Sequence, residues 1–279
     1  YVTHMRNESD QIMDSLEETF TIGREADVPV IVSHHKVQGK HNFGKSCETL
    51  ACFEKHMHNQ DIGLDIYPYS ASSTVLKEDS ILLAEKVKIT WSKARPDLAG
   101  RMLDDIAREF GCDVLEAADR LQPAGAIYFS MSEEDVQRIL KLEHAMLGSD
   151  GLPHDEFPHP RLWGTFPRVL GRFSRDEGLL PLELAVHKMT GLSAKNFRLP
   201  DRGVVREGAY ADLVVFDIPL LFETGSEKHV DHVLVVHAPE AERRARVLQR
   251  PGMTDAKLYA LIARHPDDTL HLRAAALTL

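Results

Sequence analysis

The chain has 279 residues and a formal net charge of −10, with 43% hydrophobic and 27% charged residues. This composition is ordinary for a globular protein, and the length suffices for one large α/β domain or two smaller ones. The acidic balance argues against nucleic-acid binding through phosphate neutralisation. No run approaches the ~20 apolar residues of a membrane span. We therefore expect neither nucleic acid nor a membrane among its partners.

The cysteines and the distribution of charge bear on compartment and domain organisation. Cys47, Cys52 and Cys112 form no Cys-x-x-Cys pair, which favours a reducing cytoplasm and argues against a thiolate-based zinc site. From Ile218 onward the chain holds eight basic and eight acidic residues, so residues 1–217 carry the whole net charge. This change in composition predicts a boundary near 217.

Short apolar strands alternate with helical patterns from the beginning of the chain. Residues 2–4, 28–33 and 62–66 are typical of strands, and 8–26 and 47–58 have apolar residues at helical spacing. Strands that alternate with helices form parallel sheets with helical crossovers. The sequence therefore predicts an α/β fold.

Residues 70–143 interrupt this alternation and are predicted to be an insertion. Two helical patterns, at 96–109 and 133–143, flank an apolar strand at 125–129.

The alternation resumes with a strand at 145–148 and a helix at 182–189, and the segment 203–217 ends in a further strand. A (β/α)8 barrel has eight strands in ~250 residues. About four strands of such a barrel fit before residue 200.

Three residues at the ends of predicted strands carry metal-binding or acid–base chemistry: His4, His34 and Asp150. Barrel active sites lie where strands end. Imidazole suits Zn²⁺, and a carboxylate either binds the metal or accepts a proton from water. Singly, each has an alternative: a hydrogen-bonded structural histidine, or an aspartate in a Ser-Asp-Gly turn. His35 is the better candidate for a structural histidine, because it points to the opposite side from His34.

Six stretches of residues 1–217 carry a resemblance to a known family. They are Tyr-Val-Thr-His-Met-Arg-Asn-Glu at 1–8, Val-Ser-His-His-Lys-Val-Gln-Gly-Lys at 32–40, Leu-Asp-Ile-Tyr-Pro-Tyr at 64–69, Leu-Gln-Pro-Ala-Gly-Ala-Ile-Tyr-Phe at 121–129, Gly-Ser-Asp-Gly-Leu-Pro-His-Asp-Glu at 148–156 and Pro-His-Pro-Arg-Leu-Trp-Gly-Thr-Phe-Pro-Arg at 158–168. On these stretches and their spacing, residues 1–217 resemble the N-acyl-D-amino-acid deacylases (D-aminoacylases) of the amidohydrolase superfamily. The resemblance implies zinc-dependent hydrolysis of N-acyl-D-amino acids to a D-amino acid and a carboxylate.

The resemblance also implies roles at the reacting centre. His4 and His34 would be metal ligands, and Asp150 would be the carboxylate that activates the attacking water. The family's site also uses a His-x-His motif and a cysteine, which we expect upstream of Tyr1. The zinc site is then incomplete within residues 1–279, and we expect little or no hydrolysis by this chain alone.

Further residues are assigned to the substrate by the same resemblance. By this resemblance, Lys36, Tyr67 and Arg161 would hold the substrate carboxylate. Without the resemblance, the alternatives are a solvated lysine, a core tyrosine and a surface arginine. Tyr128 and Met131, within an insertion that covers the site as a lid, would line an apolar pocket for the amino-acid side chain; their alternative is also a place in the core.

The implied architecture is the C-terminal half of a (β/α)8 barrel over residues 1–202, followed at 203–217 by a strand of a small β-domain. A half-barrel exposes the apolar inner face of its sheet. The chain could therefore be a non-enzymatic fragment that self-associates through this face.

Residues 218–266, within a second segment predicted to span 218–279, carry a second resemblance. Ile-Pro-Leu-Leu-Phe-Glu-Thr-Gly at 218–225, Val-Asp-His-Val-Leu-Val-Val at 230–236 and the Arg-rich stretch 238–254 resemble the latter half of dephospho-CoA kinase, a P-loop kinase. By that resemblance Arg243, Arg246 and Arg250 close over ATP phosphates; the alternative is an amphipathic helix with a basic face.

The phosphate-binding loop Gly-x-x-x-x-Gly-Lys-Ser/Thr of such kinases is absent from the sequence. We therefore expect a chimera of two unrelated sequences. A dephospho-CoA kinase and an inactive chimeric fragment are the alternatives to a hydrolase.

Overall fold

The computed structural model describes residues 1–210, 234–235, 245, 247–249, 253–262 and 277–278. Its contacts divide the chain into two compact units, residues 1–212 and 213–279. In the first unit the elements follow one another as β1 (Val2–Thr3), α1 (Ile12–Glu25), β2 (Val30–Val32), α2 (Ser46–Met57), β3 (Ile62–Ile66), β4 (Ser72–Val75), α3 (Glu78–Leu83), β5 (Lys86–Ser92), α4 (Leu103–Phe110), α5 (Val114–Leu121), β6 (Ala124–Phe129), α6 (Glu133–Lys141), β7 (Ala145–Leu147), α7 (Arg161–Arg168), α8 (Leu182–Met189) and α9 (Gly191–Asn196).

A four-stranded parallel sheet in the order β1-β2-β3-β7 forms the base of the first unit. Thr3 lies opposite Val32, and Ile66 lies opposite Leu147. Because all four strands run the same way, their carboxyl ends meet at one edge. The α/β fold predicted from the alternation of strands and helices is confirmed.

Helices α1, α2, α6 and α8 pack on this sheet or on one another and bury its apolar residues. The largest members of this core are fully buried: Leu16, Phe20, Phe53, Leu64 and Phe173. Burying one such side chain contributes roughly 1.5–3 kcal/mol. This packing therefore fixes the relative positions of the four strand ends at the carboxyl edge of the sheet.

Helix α1 begins four residues later than the pattern at 8–26 suggested. The side-chain oxygen of Asn7 accepts hydrogen bonds from the backbone N–H groups of Ser9 (2.9 Å) and Gln11 (3.1 Å). This local turn competes with helix formation, and so α1 starts only at Ile12.

Between β3 and β7 the chain forms a second sheet, which is antiparallel in the order β4-β6-β5. Helices α4 and α5 pack against it around a core of their own. The helix predicted over 96–109 is instead a short 3-10 turn at Pro96–Leu98 followed by α4. Gly100 separates them with φ +83°, a conformation that ends a helix.

The insertion is shorter than the predicted 70–143. Its sheet ends with β6, and α6 packs on α2, β3 and β7. Helix α6 therefore belongs to the parallel sheet. Strands β4 and β5 were not anticipated, although Lys86–Ser92 alternates polar and apolar residues as a half-buried strand does.

In the second unit, β8 (Leu234–Val235) pairs in parallel with β9 (Leu277–Thr278), and α10 spans Asp255–Ile262. The strand expected at the end of 203–217 and the three arginines Arg243, Arg246 and Arg250 lie outside the described residues. Among the helices that are described, none has the length and apolar content needed to cross a membrane.

Candidate metal centre

His4, His34 and Asp150 follow β1, β2 and β7 at the carboxyl edge of the parallel sheet. His34 and Asp150 have positive φ values, 42° and 47°. Such a left-handed backbone at a non-glycine residue costs roughly 1–3 kcal/mol and persists where the surroundings enforce it. The strain coincides with two of the three residues singled out from the sequence.

The imidazoles of His4 and His34 face each other. Nδ1 of His4 lies 2.9 Å from Nε2 of His34, and the rings meet edge to face. Two nitrogen ligands on a tetrahedral zinc ion are about 3.3 Å apart, given Zn–N bonds of ~2.05 Å. Burial lowers the pKa of His4, which favours the neutral imidazole that binds metals. The donor set and its spacing therefore fit zinc with little rearrangement.

Glu8 lies beside this pair and was not identified from the sequence. Its Oε1 is 3.0 Å from Nδ1 of His34 and accepts a 2.7 Å hydrogen bond from Nζ of Lys36. Burial alone would raise the pKa of Glu8, but Lys36 and His34 together lower it to about 2. The carboxylate is therefore ionised at any physiological pH.

Lys36 has three acceptors around its ammonium group. They are Oε1 of Glu8, Nδ1 of His34 at 2.7 Å and the carbonyl oxygen of His34 at 2.8 Å. If a metal bound Nε2 of His34, the ring proton would be on Nδ1. The Glu8 carboxylate would then accept a hydrogen bond from this N–H, as carboxylates commonly do behind metal-binding histidines. Nδ1 then no longer accepts from Lys36, and one ammonium N–H becomes available to another ligand.

The backbone of His34 is braced by Asp65 on β3. Oδ1 of Asp65 accepts a 3.0 Å hydrogen bond from the His34 N–H. Gly148 makes room for this carboxylate, because a Cβ on Gly148 would lie 2.6 Å from Oδ1. The glycine before Ser149-Asp150 thus supports His34, two strands away, through Asp65 on the strand between them.

Arg161 opens α7 and is fully buried. Its Nη1 forms an ion pair with Oδ2 of Asp150 at 2.8 Å, and its Nη2 donates to the carbonyl of Ser73 on β4 at 2.9 Å. The guanidinium lies 4.5 Å from the ring centre of Tyr67, within the range of cation–π attraction. The alternative of a surface arginine is therefore wrong.

Tyr67 is buried beside both cations. Its ring centre lies 5.7 Å from Nζ of Lys36. Burial raises the pKa of Tyr67 well above its usual value, although the Arg161 guanidinium opposes this, so the hydroxyl remains protonated. The hydroxyl interacts with the Arg161 guanidinium, which can only donate to it, and Nε of Arg161 has no hydrogen-bond partner among the described residues. Both remain able to donate to a bound anion.

A cavity of about 650 Å³ is lined by His4, His34, Lys36, Asp150 and Arg161, whereas Tyr67 lies behind this lining. Its apolar lining includes Leu82, Leu83 and Leu152, which no sequence signal indicated.

Tyr128 and Met131 do not line this cavity, contrary to their expected role in a substrate pocket. The hydroxyl of Tyr128 donates to the carbonyl of Val75 and accepts from the Lys77 N–H, and its ring is part of the core of the antiparallel sheet. Met131 is buried beside His35 and Tyr67, around a separate small space. Both are core residues, which was the alternative interpretation.

His35 has the structural role expected of it. It is fully buried, its Nε2 lies 2.9 Å from the Thr49 hydroxyl, and its ring packs edge to face on Phe53. Burial lowers the pKa of His35 to about 3, so the ring is neutral.

Comparison with known proteins supplies the family. D-aminoacylase from Alcaligenes xylosoxydans xylosoxydans is 54% identical over 267 residues, which are 93% of this chain and 55% of that protein. A crystal structure of a D-aminoacylase has a TM-score of 0.75 and 63% identity over 78% of this chain and 46% of that one. N-acyl-D-glutamate deacylase from Bordetella bronchiseptica, crystallised with zinc and a phosphonate inhibitor, has a TM-score of 0.73 and 47% identity over 76% and 45% of the two chains. The chain spans about half the length of the curated relatives it matches.

A separate similarity concerns another kind of protein. Dephospho-CoA kinase from Brucella melitensis biotype 1 is 44% identical over 110 residues, which are 39% of this chain and 51% of the kinase. Both resemblances noted in the sequence are therefore confirmed. The model of the Amidohydrolase family matches residues 103–243, half of the chain, and with the relatives above it shows that the chain belongs to the amidohydrolase family.

Proposed function

We propose that this chain contributes the zinc-binding histidines, the catalytic carboxylate and the carboxylate-binding cations of an N-acyl-D-amino-acid deacylase. The facing imidazole nitrogens of His4 and His34, 2.9 Å apart beside the 650 Å³ cavity, carry this proposal. The D-aminoacylase and N-acyl-D-glutamate deacylase relatives support the choice of substrate.

Each residue has a place in the reaction. When bound by His4 and His34, zinc supplies a Lewis acid for the acyl carbonyl. Asp150 accepts a proton from the attacking water and returns it to the departing nitrogen, so the amide C–N bond breaks to a carboxylate and a free amine. Glu8 holds the second nitrogen of His34 and fixes its tautomer.

Lys36, Arg161 and Tyr67 bind the substrate carboxylate. Arginine offers two parallel N–H donors to a carboxylate, and lysine offers a point charge. The ammonium N–H that becomes available when His34 takes up a metal adds one donor at Lys36, which lines the cavity. The side chain of the amino acid then faces Leu82, Leu83 and Leu152.

Stereoselective hydrolysis tests this proposal. The purified chain with zinc is incubated with N-acetyl-D-methionine and, separately, with its L enantiomer. Amine release is compared with that of a blank that contains zinc alone, so that slow turnover can be detected above the background. Because the zinc site is incomplete within residues 1–279, we expect at most slow release, from the D enantiomer only, that is lost with a chelator and in Asp150→Asn. Equal rates for the two enantiomers, or a D-selective rate that survives Asp150→Asn, would contradict the assignment.

We further propose that residues 1–202 are a half of a (β/α)8 barrel, that 203–217 add a strand of a small β-domain, and that 218–279 form a dephospho-CoA-kinase-like fragment. The parallel sheet and the similarity to the kinase support this division. Phosphoryl transfer is not proposed, because the sequence lacks the phosphate-binding loop. A cytoplasmic location and self-association through the open barrel face complete the proposal; sizing chromatography and ultracentrifugation test the self-association.

A further inference from the structure

A second group of metal-ligating side chains lies between α1 and α2, and none of its members lines the cavity described above. Glu17 comes from α1, and Cys52 and His56 come from α2. Sγ of Cys52 lies 3.7 Å from Oε1 of Glu17, and Nε2 of His56 lies 3.2 Å from the same oxygen. One ligand atom from each of the three side chains lies within 4.8 Å of the other two.

The helices hold these atoms in place. Cys52 and His56 are four residues apart and therefore share one face of α2. The thiol is buried in the main core, and the His56 ring lies 4.8 Å from the ring of Phe20 on α1. Two of the three donors are thus fixed by packing, whereas Glu17 is half exposed and can adjust.

The two separations that involve Glu17 match those around a tetrahedral zinc ion. Zn–S, Zn–N and Zn–O bonds of about 2.3, 2.05 and 2.1 Å place sulfur and oxygen ligands ~3.6 Å apart and nitrogen and oxygen ligands ~3.4 Å apart. The observed values are 3.7 and 3.2 Å. Because Glu17 faces solvent, water can occupy the fourth position.

We propose that Glu17, Cys52 and His56 form a second metal site, which takes a borderline divalent transition metal such as Zn²⁺ or Co²⁺. A thiolate, an imidazole and a carboxylate together select such ions over Mg²⁺ and Ca²⁺. On binding, the thiol proton passes to solvent and the sulfur bonds to the metal as a thiolate.

This site is invisible to a search for Cys-x-x-Cys pairs, which is why the cysteine spacing argued against thiolate ligation. Its ligands come from one cysteine on α2, a histidine one turn further on and a carboxylate from the preceding helix. Because α1 follows the strand that ends at His4 and α2 follows the strand that ends near His34, the metal would clamp together the two βα units that supply the facing imidazoles.

Cobalt titration of the full chain tests the proposal. A thiolate on Co²⁺ produces sulfur-to-metal charge-transfer absorption in the near ultraviolet, and the described group of ligands at the His4–His34 centre contains no cysteine. We expect this band to saturate at one Co²⁺ per chain, to be lost in Cys52→Ser and to require at least tenfold more Co²⁺ in Glu17→Gln. Cys47→Ser and Cys112→Ser are the controls that keep the band.

Zinc-dependent stability gives an independent readout. A metal that bridges α1 and α2 only in the folded state raises the melting temperature with metal concentration. We expect a smaller zinc-induced rise in Glu17→Gln than in the parent chain, whereas Glu54→Gln, an exposed change on α2, matches the parent. A charge-transfer band that persists in Cys52→Ser, the absence of any such band, or equal zinc-induced rises in Glu17→Gln and Glu54→Gln would overturn the proposal.

Discussion

Glu8 and Lys36 form a buried ion pair, with Oε1 and Nζ 2.7 Å apart and both side chains less than a tenth exposed. The pair lies directly behind His34, whose Nδ1 is within 3.0 Å of both charged atoms. Removing one partner of a buried pair leaves an uncompensated charge. Its two members are therefore coupled to each other and to the orientation of the imidazole.

Glu8→Gln is expected to weaken zinc binding by about 10–100-fold, the usual effect of losing a carboxylate behind a metal-binding histidine. The amide no longer favours the Nδ1–H tautomer of His34 that leaves Nε2 available. Competition with a chromophoric chelator measures the affinity. Glu18→Gln is the matched control, because Glu18 pairs with Arg6 at the surface; the same loss in both variants would rule out a specific role for Glu8.

Gly148→Ala tests the support of His34 from the neighbouring strand. The new methyl group would lie 2.6 Å from Oδ1 of Asp65 and displace the carboxylate that accepts from the His34 N–H. We expect a loss of roughly 1–3 kcal/mol in unfolding free energy, as for other overpacked sites, and weaker zinc binding. Gly171→Ala is the control, since its methyl group would meet only Arg175, at 3.8 Å. Urea titration measures the unfolding free energy of both variants. Equal unfolding free energies for Gly148→Ala and Gly171→Ala would contradict the proposed support of His34 through Asp65.

Much of the parallel sheet was accessible from the sequence, because short apolar strands and amphipathic helices repeat along it. The helix at 182–189 was predicted to the residue. The insertion that holds the second sheet was harder to predict. The helical pattern continues through Gly100, whose backbone conformation ends a helix, and the paired strands β4 and β6 lie some fifty residues apart in the sequence.

The candidate site likewise contains residues that the sequence indicates and residues that it does not. His4, His34 and Asp150 stand at strand ends, where position alone suggested chemistry. Glu8 stands in a loop, and its contact with Lys36 spans 28 residues, so no local pattern reveals it. Tyr128 was assigned to the substrate pocket by the family resemblance, whereas its apolar strand pattern alone indicated the core, where the structure has it.

Arg161→Lys is expected to raise the KM for N-acetyl-D-methionine about tenfold or more. Lysine keeps the charge but loses the two-pronged donor, and a hydrogen bond to a charged group contributes roughly 1.5–3 kcal/mol. Steady-state kinetics measures KM. Arg175→Lys, which alters an exposed arginine paired with Asp176, should leave KM unchanged. A KM for Arg161→Lys within twofold of the parent value would argue against carboxylate binding by this residue.

Lys188 makes the unfolding free energy of the first unit vary with pH in the alkaline range. Its Nζ is buried and donates to the backbone carbonyls of Leu142, Glu143 and Ala145. Burial lowers its pKa from the usual 10.5 to about 8. Between these values the unfolded chain holds a proton that the folded chain has released, so the unfolding free energy contributed by Lys188 rises with pH over that window and is constant below it.

Lys188→Met should remove this dependence. The variant loses roughly 1–3 kcal/mol at pH 7, because three buried carbonyls lose their donor. Its unfolding free energy should then lack the Lys188-dependent increase from pH 8 to 10.5. Denaturant titrations across this range, with the exposed Lys195→Met as the control, isolate the effect from the titration of other groups. Lys188 anchors α8 to the end of α6 and to β7, and parallel pH profiles for the parent and Lys188→Met would contradict the lowered pKa of its ammonium group.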